Sequence, residues 1–257
     1  MAGPAGHRQK TFVRALAVSL GGRLRDFRSA DDADLVGLAD LARSADIVAV
    51  QDIHIAPPRI VSSALAAMDD RHITVDGLAW AKPFLVVATQ RTTPGRNHAL
   101  PADDLDRFAV CLPFTCPNGI EFLRTGVRRG WAALRPVAAV DLLTRHIAEV
   151  RSVFIHDALY RYVADLATLT RRHEDVALGL SPRGAVALLR VAQALALCDG
   201  RDHVIPHDVR RLVEPVVAHR LVLTPAARRG GRSPGDVVAE VLADVPAPAA
   251  QLLPSLE

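Results

Sequence analysis

The chain changes its hydrophobic rhythm once along its length. In the first half the apolar residues come in short runs, Ile47–Val50 (IVAV), Phe84–Ala88 (FLVVA) and Phe108–Leu112 (FAVCL), the first of them between polar residues. Runs this short cannot form a helix but suit strands buried on both faces. From Val137 the spacing becomes helical, over Val140–Val150, Asp157–Arg172, Pro182–Leu197 and His207–His219. Strands followed by helices predict an α/β core, residues 1–136, and a helical domain, residues 137–225, with the boundary near Pro136. A tail, residues 226–257, carries one short helix over Gly235–Ala243. Within the core, Thr11–Leu20 reads as a helix stopped by Gly21-Gly22. Pro57-Pro58 opens another through Met68. Ile73–Trp80 carries Asp76-Gly77, a strong hairpin signal.

Composition narrows the class. Half of the residues are apolar and the net charge is only +3, with the arginines scattered. No nucleic-acid partner is expected from such a charge distribution. No apolar run is long enough to span a membrane, and the N-terminal MAGPAGHRQKT lacks the apolar stretch of a secretion signal. Cys111, Cys116 and Cys198 cannot all pair, which fits reduced thiols in a cytoplasmic protein. Among the ten histidines, His156, His173, His203, His207 and His219 show no ligand pair at helical spacing with a matching third ligand, so no metal site is read from them. Trp80 and Trp131 read as packing residues at the core rim.

The most specific stretch is Leu178–Arg183 (LGLSPR) and the GAVALLRVAQALALCDGRDHVIPHDVRRLVEPVVAHRL that follows. Pro182 suits a first helical turn capped by Ser181, and Pro206 and Asp208 mark the next helix start. Through Ser181, Pro182, Arg183, Gly200, Arg201, Asp202, Pro206, Asp208, Val209, His219 and Arg220, this stretch resembles the lid of MoxR-family AAA+ ATPases. Upstream, Ala56-Pro57-Pro58, Arg71–Gly77 (RHITVDG), Lys82–Gln90 (KPFLVVATQ) and Leu105-Asp106-Arg107-Phe108 resemble segments of the same family. The resemblance covers roughly Gly3 to Leu223 and implies a P-loop-type, three-layer AAA+ α/β core with a C-terminal helical lid. It implies ATP and Mg²⁺ as cofactors, and ring-type homo- or hetero-oligomers. It also implies client proteins or von Willebrand factor A domain proteins as partners, in a chaperone-like assembly or regulatory role. Arg183 then corresponds to the sensor arginine that contacts nucleotide phosphate, although an arginine in such a tripeptide can equally pair with a nearby aspartate. Arg107 corresponds to the arginine finger that stabilises phosphoryl-transfer charge in a neighbouring subunit.

The hydrolytic motifs depart from the family pattern. A phosphate loop requires G-x-x-x-x-G-K-[ST]. Here Gly3, Gly6, Lys10 and Thr11 remain as nucleotide-binding candidates. Gln9 replaces the last glycine, and Gly6 stands one residue too far from Lys10. A Cβ at position 9 hinders close backbone approach to a phosphate. A solvated basic N-terminus is the alternative reading of Arg8 and Lys10. In the acidic motif, Gln51 stands at the Mg²⁺-associated position, where an amide is a poor ligand for a hard cation, and Thr11 and Asp52 complete the candidate metal set. Asp52 is the candidate catalytic base, one methylene shorter than the family's glutamate. Arg91 replaces the asparagine that orients water. The family's strand before the phosphate loop has only Met1 and Ala2 to represent it. The segment from Asp34-Leu35-Val36-Gly37 to Gln51 is also short, so a missing first strand, or a start upstream of Met1, is expected. Impaired ATP hydrolysis follows, with a compensated ATPase and a nucleotide-free scaffold as alternatives.

Overall fold

The computed structural model describes residues 1–3, 9–28, 45–56, 61, 65, 72–75, 78–81, 85–91, 100–114 and 134–249. The predicted helix from Pro57 to Met68, the Asp76-Gly77 turn, Gly6 and Trp131 lie outside them, apart from Val61 and Leu65. The chain divides into two compact units, residues 1–100 with 112–144, and residues 101–111 with 145–257.

The first unit is built on a parallel sheet in the order Leu24–Arg28, Ile47–Gln51, Leu85–Ala88. Its central strand shows why an unbroken apolar run was required. Ile47, Val48, Ala49 and Val50 are at most 3% exposed, so both faces of that strand are covered. The register sets Ile47 against Leu24 on one side and against Leu85 on the other. The helix Gln9–Ser19 packs on this strand and buries Val13 and Ala17, four residues apart and therefore on one helical face. It ends where Gly21 adopts a left-handed φ of 61° and the Gly22 amide donates to Ala17 O at 3.0 Å, a glycine stop of the kind the sequence announces. Arg23 and Asp46 pair at 2.9 Å beside the entry to the central strand. His72–Val75 and Leu78–Ala81 pair antiparallel, with Val75 opposite Leu78, as the hairpin signal predicts.

The sheet position left short by the sequence holds a strand of two residues. Ala2–Gly3 runs parallel to Gln90–Arg91, the Met1 ammonium donates to Ala88 O at 2.9 Å, and Gln90 N donates to Met1 O at 2.9 Å. On the other side, Ala2 N donates to Leu112 O and Phe114 N to Ala2 O. The backbone groups of this strand are thereby paired on both sides. Phe12 and Phe114 meet edge to face at 5.6 Å.

One expected strand is corrected. Phe108–Leu112 forms no strand; the ladder contact falls at Pro113, an isolated bridge with Ala2. The reason is chemical. The carbonyls of Phe108 and Ala109 accept from the Arg220 side chain, and Cys111 N donates to Pro215 O. Within Phe108–Leu112 those groups are taken, which leaves the Leu112 carbonyl to accept from Ala2 N.

The second unit holds the helices Asp157–Arg172, Pro182–Cys198, Pro206–Val217 and Pro234–Asp244 around one core. Leu159, Leu166, Leu180, Leu188, Val204, Val213 and Val237 are at most 1% exposed. Burying each such side chain contributes about 1.5–3 kcal/mol. Proline opens three of these helices, where its missing N–H costs nothing. Ser181 and Ser233 cap two of them through their hydroxyls. The Asp208 carboxylate caps the third, accepting from Ile205 N at 3.0 Å. Asp208 is itself clasped by both Arg201 Nη atoms, at 2.7 and 2.8 Å, so the Gly200-Arg201 turn and the next helix start are one device. No helix among the described residues is long and apolar enough to cross a membrane.

Candidate functional site

In the first unit the strand tips bring three sequence motifs together. Lys10 and Thr11 lie in the first turn of the Gln9–Ser19 helix, where the helix dipole and free amides favour an anion. Gly3 ends the two-residue strand opposite Arg91. Gln9 Nε2 donates to Gln90 O at 3.3 Å, so the residue in place of the glycine ties the helix start to the neighbouring strand tip. Gln51 ends the central strand, opposite Arg28.

Asp52 turns the chain immediately beyond, with φ 53° and ψ 44°. It is the one non-glycine residue with positive φ among the described residues. Aspartate tolerates this left-handed conformation better than most residues, and such backbones gather at functional sites when their surroundings hold them. The holding group is Thr89, whose Oγ1 accepts from Asp52 N at 3.1 Å. Its carbonyl accepts from Ile53 N at 3.0 Å, and its own amide donates to Val50 O at 2.9 Å. Thr89 is 5% exposed. Sequence reasoning missed this role, and the only signal was a threonine in the ATQ tripeptide at a strand end. Among the described residues no group of three His, Cys, Asp or Glu side chains could hold a metal ion.

The second unit carries Arg107 and Arg183. Arg107 follows the short helix Ala102–Leu105. Arg183 is exposed in the first turn of Pro182–Cys198. Around them lies a buried ionic cluster. The Arg220 side chain is 2% exposed and pairs through Nε with Asp106 Oδ1 at 3.0 Å. Its Nη atoms donate to the carbonyls of Asp106, Phe108, Ala109 and Val216. Burial lowers the Arg220 pKa, and Asp106 opposes that shift. The Ser181 hydroxyl, already the cap of the Arg183 helix, lies 2.9 Å from both Asp106 carboxylate oxygens.

His219 shares this cluster. Burial, aided by the Arg220 charge, lowers its pKa to about 4, so the ring is neutral, and Nε2 lies 3.0 Å from Phe108 O and 3.1 Å from Arg220 Nη1. A base with a depressed folded pKa destabilises the fold when protonated. The stabilisation is therefore complete above the unfolded value of about 6.5 and is lost as pH falls from there towards about 4. The helical unit is expected to lose on the order of 3 kcal/mol across that window from this group, at about 1.4 kcal/mol per pH unit. His219→Gln should flatten that slope in pH-dependent thermal melts, and an unchanged slope would refute the assignment.

Comparison with known proteins finds two family models in the chain. Residues 38–110 match the model of the ATPase family associated with various cellular activities (AAA), and residues 168–241 match the AAA lid domain. The uncharacterised protein YeaC of Bacillus subtilis is 32% identical over 259 residues, covering 92% of this chain and 81% of its own. Chaperone MoxR1 of Mycobacterium tuberculosis is 32% identical over 226 residues, covering 82% of this chain and 59% of its own. The crystal structure of a candidate ATPase of Cytophaga hutchinsonii superposes with a TM-score of 0.83 at 20% identity, over 96% of this chain and 84% of that one.

Proposed function

The chain belongs to the MoxR-type AAA+ ATPases, and we propose that it is a nucleotide-binding member with impaired hydrolysis, a chaperone-like assembly or regulatory subunit. The observation that carries this reading is the strand tip. There stand an amide, Gln51, and a left-handed aspartate held by Thr89, where the family pattern has a metal-binding carboxylate and a base. Lys10 and Thr11, at a helix N-terminus, suit phosphate. A Mg²⁺ ion would be held by Thr11 and Asp52, and would neutralise phosphate charge. Gln51 fits that ion poorly, because hard divalent cations favour carboxylate oxygen. Gly3 and Gly6 are the glycines of the candidate phosphate loop. By the family pattern Arg183 would contact nucleotide phosphate, and Arg107 would serve a neighbour's site within a ring. Its partners are further ring subunits and a client or von Willebrand factor A domain protein, in the cytoplasm.

The test is titration of the purified chain with a fluorescent ATP analogue, with and without Mg²⁺. Saturable binding that Mg²⁺ strengthens by less than about tenfold, or 1.4 kcal/mol, is expected. Strengthening by about a hundredfold or more would establish a working metal site and a compensated ATPase. Absence of binding in both conditions would leave a nucleotide-free scaffold.

A further inference from the structure

The loop that carries Arg107 has no regular structure beyond Leu105, yet it is pinned on two sides. From beneath, Arg220 binds the carbonyls of Asp106, Phe108 and Ala109. From the side, both Asp106 carboxylate oxygens lie at 2.9 Å from Ser181 Oγ. That hydroxyl also accepts from Gly184 N at 2.9 Å. A hydroxyl has one proton to donate and can accept as well, so Ser181 uses both capacities at once. Two hydrogen bonds thus connect the first turn of the Arg183 helix to the residue before Arg107. Gly184 is part of the same construction. A Cβ there would lie 2.9 Å from Arg220 Cδ and 2.5 Å from Leu180 Cδ1, so only a glycine lets the Arg220 side chain pass under the helix start. The Arg183 charge disfavours the protonated Arg220, so the two cations lie within electrostatic reach of each other.

We infer that Ser181 and Asp106 are positioning residues that join Arg183 and the Arg107 loop into one element, so that phosphate bound at Arg183 is transmitted to the arginine offered to the neighbouring subunit. The inference rests on the proposed roles of those two arginines. Phosphate arriving at Arg183 offsets the charge that repels Arg220 and so favours the Arg220 cation that Asp106 and the loop carbonyls hold. The Arg107 loop is then ordered by nucleotide in its own subunit. Without the Ser181 hydroxyl, Arg220 still holds Asp106, so the fold persists while the link to the Arg183 helix is cut.

Hydrogen exchange read by mass spectrometry tests this on the full chain with ATP, in the presence and absence of Mg²⁺, for wild type, Ser181→Ala and Ser181→Thr. Saturating ATP is expected to slow exchange of the amides of residues 105–111 by about fivefold or more, the lower end of ordinary site-to-site coupling. Ser181→Thr should keep that response. Ser181→Ala should bind ATP and fold yet lose the response at residues 105–111, an ATP-dependent difference that a merely structural cap would not remove. If ATP binds and Ser181→Ala responds like wild type, the inference falls and the nucleotide-binding reading stands. If ATP does not bind wild type, both fall.

Discussion

Replacing Asp106 by Asn is expected to cost the helical unit about 3–5 kcal/mol, a larger stability effect than any exposed substitution in this chain. The Arg220 side chain is 2% exposed and its carboxylate partner is Asp106, at 3.0 Å. A buried cation stripped of its counter-charge keeps its desolvation penalty and loses the attraction that offset it. The four carbonyls around Arg220 satisfy its N–H groups but supply only dipoles, so they do not replace a charge. The asparagine can still accept from Ser181, which separates the charge effect from the capping effect. Asp103→Asn, at an exposed position of the preceding short helix, is the control and should cost less than about 1 kcal/mol. Urea unfolding followed by circular dichroism measures both, with the helical unit's own transition as readout because two units need not unfold together. A loss below about 1 kcal/mol for Asp106→Asn would show that Arg220 does not depend on its partner.

That cluster also marks where the sequence stopped being legible. The helices of the second unit could be read because each start carries its own chemistry: Ser181 before Pro182, Pro206 with Asp208, and apolar residues at helical spacing behind them. The central strand was readable because Ile47–Val50 has no polar residue to place on a solvent face. Phe108–Leu112 looked the same by that criterion and is no strand, because its carbonyls are engaged by an arginine from 112 positions further along the chain. No local pattern reports so distant a partner. Ala2–Gly3 is too short for any periodicity to show, and its pairing with Gln90–Arg91 exists only once the sheet is assembled. At the candidate site, the residue types at Lys10, Thr11, Gln51 and Asp52 were visible. The left-handed backbone of Asp52 and its Thr89 support were not, because they depend on which strand lies next to which.

The purified chain is expected to turn over ATP far below about one per second, the ordinary lower range for enzymes, and Gln51→Asp alone should not bring it there. Several departures act on one site. Gln51 offers an amide where a metal wants charge. Asp52 is a methylene shorter than a glutamate, and a base displaced by about 1 Å can lose roughly a hundredfold. Arg91 has no amide to orient water, and Gln9 is bonded to Gln90 O where a glycine would leave the backbone open. Groups that work as a unit fail together, so restoring one returns little of the rate. Asp52→Glu shows the constraint most clearly. It lengthens the reach, but it must hold a longer side chain at φ 53°, a conformation that disfavours most L-residues by about 1–2 kcal/mol. The repair therefore works against the backbone that Thr89 enforces. Phosphate release should rise less than about tenfold in Gln51→Asp or Asp52→Glu alone, and more than the product of those two in a variant that also carries Arg91→Asn and Gln9→Gly. Wild-type turnover near one per second, or a hundredfold gain from Gln51→Asp by itself, would show that the site was never disabled in the way its residues indicate.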